Sequence, residues 1–419
     1  MTEIELKFGV DPARAGAVDT ALRRAQARRV AIESRYFDTA DHRLAEAGLS
    51  LRLRRSVGLW EQTLKAPADG MGERLEETVL RPGRWGPDGP PVDPSLHDAT
   101  AAGKQLRAVL GGARATAALV PVHTCTVMRR HIEIDAHGGR VEIAFDRGEF
   151  RAGDAAAPAC EIEYELKAGD ARALIAFGKA GVREHGLWLS TLSKAARGAR
   201  LAHGEVAGPP VKARPPVLDR GMTGVGIFRA VLRACLDQVL ANASEVAEGH
   251  RLAEVIHQLR VGLRRTRTAW RELSPLAPSG TPDWETPLAD AFRALGEYRD
   301  RNTVVASLQA RLAESGSPEP TLPAPASEPA DPVEVVRGSE FQCALLDGLA
   351  LTLDTAPDPE GEGAKDARAF VVSRLDRLEK QLKRAAKRFE GSTPDEQHEA
   401  RKRLKRLRYL AELVGSLYK

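Results

Sequence analysis

Glu161-Ile162-Glu163-Tyr164-Glu165-Leu166-Lys167 repeats, late in the first half of the chain, a pattern that opens it: Glu3-Ile4-Glu5-Leu6-Lys7-Phe8. Strand alternation puts Glu3, Glu5 and Lys7 on one face and Ile4, Leu6 and Phe8 on the other. In the same way Glu161, Glu163, Glu165 and Lys167 oppose Ile162, Tyr164 and Leu166, and Glu142 and Asp146 oppose Val141, Ile143 and Phe145. Bases take the charged positions in Leu51-Arg52-Leu53-Arg54 and in Gln62-Thr63-Leu64-Lys65. One such strand by itself reads as the solvated face of an antiparallel sheet, laced by cross-strand ion pairs. The set says more, because acids gather on some strands and bases on others, always opposite an apolar face. A sheet closed with that face inward is a tunnel lined by carboxylates and by Arg and Lys. Such a lining suits a polyphosphate with a divalent cation, carboxylates holding Mg²⁺ or Mn²⁺ and bases neutralising phosphate oxygens.

Working outward, residues 1–203 read as strands with loops and a few helices, and 204–220, containing GPP and RPP, as a stiff linker. Residues 221–419 carry helical periodicity. Two stretches inside them, Ser315 to Pro332 and Thr355 to Asp366, are Pro-, Gly- and acid-rich breaks. At 419 residues more than one core is expected. Lys+Arg 62 against Asp+Glu 58 leaves a net charge of +4, which excludes a polycation but permits segregated patches. Aromatics at 5% are too sparse for single-strand base stacking. No apolar run approaches the roughly 18 residues of a membrane span. The start MTEIELKFGV carries acids where a signal peptide is expected to have a basic start and an apolar stretch, and Cys125, Cys160, Cys235 and Cys343 lack metal or CxxC spacing. A soluble cytoplasmic protein with free thiols is the expectation.

The first half resembles the CYTH family, the triphosphate tunnel metalloenzymes. The match is collinear through EIELK, Arg35 to Arg55, Trp60 to Lys65, RLEETV, MRRHIEI, VEIAFDRGEF, CEIEYELKAG and Leu189 to Gly198. The resemblance implies an antiparallel β-tunnel that cleaves a triphosphate with divalent metal. It places Glu3, Glu5, Asp146, Glu161 and Glu163 as metal-holding acids, with Glu5 also orienting water and Lys7 completing the signature. Arg52, Arg54, Lys65 and Arg129 fall on the phosphate-clamping and catalytic bases, Lys194 on the lysine of the closing segment, and Arg35 and Arg197 on further phosphate contacts. Arg130 remains an alternative to Arg129, since a bulge would exchange them. Glu76, Glu77, Glu142 and Glu165 read equally well as structural.

The helical half contains a repeat. His257, Arg260, Arg264, Arg265 and Arg267 match His398, Arg401, Lys405, Arg406 and Arg408 in spacing. The histidine and the bases at +3, +7 and +10 form a stripe about 80° wide, flanked by apolar stripes (Ile256, Leu259, Leu263, Thr266; Ala400, Leu404, Leu407). Two such ladders related by a pseudo-twofold would line one basic groove, supported by Lys380, Lys383, Arg384, Lys387 and Arg388. This half resembles the CHAD family, on the two ladders and Leu288 to Asp300. The resemblance implies paired helical bundles that bind inorganic polyphosphate and associate with polyphosphate granules, with His257, Arg260, Arg264, Arg267, His398, Arg401, Lys405 and Arg408 as the binding set. The second ladder ends close to Lys419, so the second half of this domain reads as shortened, with a homo-oligomer as one way to cover its apolar flank.

The combined expectation is a multidomain α+β protein, an antiparallel β-tunnel followed by all-α paired helical bundles. Its expected activity is that of a Mg²⁺- or Mn²⁺-dependent inorganic triphosphatase with a polyphosphate-binding module. Thiamine triphosphate and nucleoside triphosphates are alternative substrates, and adenylate cyclase a less favoured chemistry. The second reading is a largely non-catalytic protein that organises polyphosphate. Nucleic acid is disfavoured by the few aromatics and modest net charge, and no membrane partner is expected.

Overall fold

The computed structural model describes residues 4–67, 74–111, 119–277, 284–316, 328–353 and 363–418. Glu3 and parts of both Pro- and Gly-rich breaks lie outside these. The chain divides into two compact units, residues 1–169 with 190–208, and residues 170–189 with 209–419.

In the first unit the strands are β1 (Glu5–Gly9), β2 (Arg28–Asp38), β3 (Ser50–Ser56), β4 (Leu59–Pro67), β5 (Arg74–Leu80), β6 (Val120–Ala136), β7 (Gly139–Ala152) and β8 (Ala155–Gly169). Their order across the sheet is β5-β4-β3-β2-β6-β7-β8-β1, with antiparallel pairings throughout. Helices α1 (Ala15–Arg24), α2 (Arg43–Glu46) and α3 (Ala101–Leu110) connect them. The expected antiparallel β half is therefore present. Helix α4 (Arg172–His185) groups with the second unit, and α5 (Lys194–His203) with the first.

Cross-strand partners share a face, so the register sorts every side chain. One face is apolar. Leu51, Leu64 and Ala66 on it pack with Ala102, Leu106 and Leu110 of α3, and Phe8 meets Tyr164 edge-on with centroids 5.4 Å apart. The other face carries the charges, and it is concave. Lys65 on β4 feels the charge of Glu5 on β1, and Arg54 on β3 that of Arg129 on β6, although β4 and β1 lie toward opposite ends of the sheet order. The inner surface thus becomes the polar one, the reverse of an ordinary sheet packed on its core.

Helix α5 enters this concavity. Ser193 caps it by accepting from the Ala196 N–H, and Ala195 and Leu201 pack on Ile32, Tyr36, Cys125, Val127, Phe150 and Ala159 of the inner face. His123, 5% exposed, stacks on Tyr36 at 4.4 Å. Burial, helped by His203, lowers its pKa to about 4, so the ring is neutral at pH 7. Gly198 is what lets the helix sit there, because a Cβ at that position would fall 1.9 Å from His123 Cδ2. Gly198→Ala is expected to cost about 1–3 kcal/mol by overpacking, read as a lower urea midpoint at unchanged slope.

The second unit is helical. Its main elements after α4 are α6 (Gly224–Ala247), α7 (Ala253–Leu273), α8 (Glu285–Arg299), α9 (Ala306–Glu314), α10 (Pro332–Arg337), α11 (Ser339–Leu353), α12 (Gly363–Ala386) and α13 (Pro394–Val414). The apolar stripe of the first ladder is buried as its period requires: Ile256, Leu259, Leu263 and Thr266 are at most 1% exposed. The second stripe is covered only in part. Ala400, Leu410 and Val414 are buried, but Leu404 is 52% exposed beside a groove of about 1120 Å³ between α12 and α13. A capping box at Thr393 and Glu396 starts α13.

Candidate active site

The register settles which residues line the concavity. Glu5 pairs with Glu165, Lys7 with Glu163, and Glu161 with Asp146, which in turn pairs with Arg129. On the far side Arg52 lies opposite Thr63 and Tyr36, Arg54 opposite Glu61 and Ser34, and Lys65 opposite Glu76. Glu5, Lys7, Arg52, Arg54, Lys65, Arg129, Asp146, Glu161 and Glu163 therefore share one face, and Lys194 reaches it from α5. Arg129 is the inward residue of its pair. Arg130 points the other way and binds Asp19 of α1, and the registers of β6 show no shift between 129 and 130.

Arg35 is a correction. It belongs to the opposite face, in register with Leu53, where it pairs with Glu33 at 2.9 Å and binds Pro87 O and Asp88. Tyr36, its neighbour, takes the inward position. Arg197 of α5 donates to Ser190 Oγ at 3.4 Å.

The acidic side is already compensated. Asp146 and Glu161 are each 1% exposed, and their carboxylates with that of Glu163 lie within 4.8 Å of one another. Lys194 Nζ sits among them, 2.8 Å from Asp146 and 3.2 Å from Glu163, with its shortest contact to Glu161. Arg129 forks onto both oxygens of Asp146 at 2.7 Å and reaches Glu163 at 2.9 Å. Lys7 Nζ lies 3.4 Å from Glu163. Burial alone would raise the Asp146 and Glu163 pKa values, but the cations outweigh it and hold both below the ordinary carboxylate range, Glu163 well below. The same pairs hold Lys194 well above its ordinary value despite burial.

The basic side is not compensated to the same degree. Among the described residues, the Nε atoms of Arg52 and Arg54 are buried without a hydrogen-bond partner. Arg52 approaches Glu76 only at 3.8 Å and Arg54 approaches Glu61 at 3.5 Å. Lys65 pairs with Glu76 at 2.5 Å. Burial, together with Arg52 and Arg129, lowers the Arg54 pKa to about 10, so it stays charged at neutrality. Burial and Arg52 also lower Lys65. Crowded guanidiniums with unsatisfied buried donors are chemically suited to a multivalent anion. Glu61 lines the same face, and its signal in the sequence is its parity with Thr63 and Lys65.

In the helical unit the ladders on α7 and α13 meet. Lys405 is lowered by burial and by Arg264, Arg408 and Arg401, so bases of both helices stand close, with Arg408 paired to Glu412 at 3.3 Å. Arg264 Nε is buried and has no hydrogen-bond partner among the described residues. The bases at +8 do something else. Arg265, 3% exposed, binds Glu412 of α13, while Arg406 lies 3.9 Å from Glu272 of α7, a reciprocal cross-tie between the two copies. Arg267 is neutralised by Glu285 at 2.9 Å. His257 is shifted down by burial and nearby arginines, and His398 is exposed.

The first unit is thus a concave antiparallel sheet with an anion-ready basic wall facing an acidic one, and the second a helical domain with two basic ladders. The chain carries a CYTH domain over residues 1–199 followed by a CHAD domain over residues 230–419. It is 26% identical over 208 residues to an inorganic triphosphatase of Haemophilus influenzae, covering 48% of this chain and 55% of that protein; the chain thus spans about half the length of this relative. Among solved structures, the CHAD domain of Ricinus communis is 26% identical, covering 50% of this chain and 71% of that one at a TM-score of 0.37. A candidate adenylyl cyclase from Hippeastrum with a dominant triphosphatase activity is 18% identical, covering 49% and 97%, at a TM-score of 0.33. Among the described residues no helix is long and apolar enough to cross a membrane.

Proposed function

We propose that the first unit hydrolyses inorganic triphosphate with a divalent cation, and that the helical unit binds inorganic polyphosphate. The observation that supports the first part best is the pair of buried, unpartnered Nε atoms of Arg52 and Arg54 facing the acidic wall. Phosphoryl transfer to water asks chiefly for positioning and charge stabilisation. Arg52, Arg54 and Lys65 bind the phosphate chain and take up negative charge on the transferred and leaving groups. Glu5 orients the water whose oxygen bonds to the terminal phosphorus as the bond to the bridging oxygen breaks. Arg129, Lys7 and Lys194 fix the acidic wall.

The carboxylate donors fit a hard cation such as Mg²⁺ or Mn²⁺. Glu5 and Glu163 are the more open of the candidate ligands, with Glu3 of the same motif beside Glu5 in sequence. Asp146 and Glu161 stand behind them, engaged by Arg129 and Lys194. A cation held there would supply Lewis-acid charge for the phosphate oxygens and the attacking water. Inorganic triphosphate is favoured over nucleotides because the inner-face aromatics Tyr36 and Phe150 are buried, at 3% and 2% exposure, so among the described residues neither of these rings is open to stack on a nucleobase.

The test ranks inorganic triphosphate, ATP, thiamine triphosphate and long-chain polyphosphate by turnover, and measures triphosphate binding in EDTA by Arg52→Ala and wild type. Fastest turnover of triphosphate with binding weakened at least tenfold in Arg52→Ala is expected; preferred turnover of ATP or unchanged binding contradicts it. For the helical unit the supporting observation is the close meeting of Arg264, whose buried Nε has no hydrogen-bond partner among the described residues, with Lys405, Arg401 and Arg408. A protein that binds polyphosphate but releases no phosphate from any substrate would favour the non-catalytic reading.

A further inference from the structure

The stretch Leu288 to Asp300, all but its last residue in α8, follows the first ladder, yet no role in the proposed chemistry falls to it. The structure gives it one. The Phe292 ring lies beneath three ladder arginines of α7, with the guanidinium carbon of Arg260 4.4 Å, Arg264 5.7 Å and Arg267 5.8 Å from its centroid. Arg260 is also fixed by a hydrogen bond from Nη1 to the Phe292 carbonyl at 2.8 Å. One turn further along α8, Gly296 leaves the space that Arg260 fills. A Cβ there would stand 2.1 Å from Nη1 and 3.0 Å from Cζ.

Long arginine side chains lose rotamer freedom when they bind, and a scaffold that holds them in the bound arrangement removes that cost in advance. A ring face attracts guanidinium without neutralising it. Glu285, which pairs with Arg267, shows the contrast, because a carboxylate in the same place cancels the charge the site needs.

We propose that Phe292 and Gly296 are positioning residues, a seat that sets Arg260 and Arg264 as a preformed row for successive phosphates of a polyanion. This rests on the reading of the helical unit as a polyphosphate binder. Arg260 is held by the ring, the carbonyl and the glycine gap together. Arg264 is held by the ring on one side and stands toward Lys405 on the other.

The experiment measures equilibrium binding of long-chain inorganic polyphosphate to the full chain over a salt series, for wild type, Phe292→Leu, Phe292→Tyr and Gly296→Ala. Phe292→Leu and Gly296→Ala are each expected to weaken binding about tenfold, and Phe292→Tyr, which keeps the ring face, to stay within about twofold. Gly296→Ala is the decisive variant, because alanine favours the helix while its methyl group evicts Arg260. It should bind more weakly yet melt no lower than wild type. Wild-type binding that both Phe292→Leu and Gly296→Ala retain overturns the seat and leaves the polyphosphate reading standing. Weaker binding that follows a loss of melting temperature in every variant, Phe292→Tyr included, overturns it too, as a stability effect. Failure of wild type to bind polyphosphate at any salt overturns the reading itself, and the seat with it.

Discussion

Phosphate release from inorganic triphosphate is expected to fall about 100–1000-fold in Lys65→Ala, with the protein still folded. Lys65 stands on the inner face of β4 with Arg52 near it and Glu76 as its ion-pair partner. Its ammonium is partly desolvated, so its charge acts on a bound phosphate chain with less screening than in water. Removing it takes away transition-state stabilisation while leaving Glu76, whose side chain is 33% exposed, able to reach water. An exposed or half-exposed pair of this kind contributes about 0–1 kcal/mol to folding, so melting should hardly change. Initial rates with circular dichroism and thermal melting check both halves. A folded Lys65→Ala protein with wild-type turnover would remove the basic wall from the mechanism.

Lys194→Met is expected to have the largest effect on stability. It withdraws the ammonium that Asp146, Glu161 and Glu163 share and leaves buried carboxylates short of one positive charge. Breaking a buried ion cluster by removing one partner costs on the order of 3–5 kcal/mol, a fall in melting temperature of roughly 10 °C for a unit of this size. The pH dependence carries a sign that tests the cause. In the wild type, Asp146 and Glu163 are held below ordinary carboxylate values. Their contribution is therefore present above about pH 4 and lost as pH falls through the folded values. Lys194 is held above its ordinary value, so its contribution is present below about pH 10 and lost only at strongly alkaline pH. Wild-type stability from this cluster should be level between about pH 5 and 10. In Lys194→Met the acids repel one another and take up a proton more readily, so stability should rise as pH falls from 8 to 5. Melting curves in EDTA across that range decide it; a variant that melts with wild type and shares its profile contradicts the account.

Much of the inner face was legible because strand parity has a period of two and needs no tertiary information. Glu5 with Lys7, Arg52 with Arg54, and Glu161 with Glu163 were sorted by that rule and share a face in the structure. Where parity had to be carried between strands it gave no answer. Arg35 neighbours Tyr36, and only the pairing with Leu53 and Arg52 shows that the tyrosine, not the arginine, turns inward. The choice between Arg129 and Arg130 depended likewise on the absence of a bulge. The entry of α5, and the insertion of Lys194 into the acid cluster, depend on how a helix docks against a curved sheet, which no local pattern in LSTLSKAARG encodes. In the helical unit the ladder spacing identified the bases but not their division of labour. Arg265 and Arg406 cross-tie α7 to α13, and Arg267 is neutralised from α8. Both depend on acids of other helices.

The central claim is that the two walls of the concavity act together on a triphosphate with a divalent cation. It is tested most directly by phosphate release from inorganic triphosphate in Mg²⁺, Mn²⁺ and EDTA, by wild type and by a folded Glu5→Gln variant. Release is expected to need the metal, to stop in EDTA and to fall at least about 100-fold in Glu5→Gln. Release that continues undiminished in EDTA, or wild-type turnover by Glu5→Gln, would contradict it.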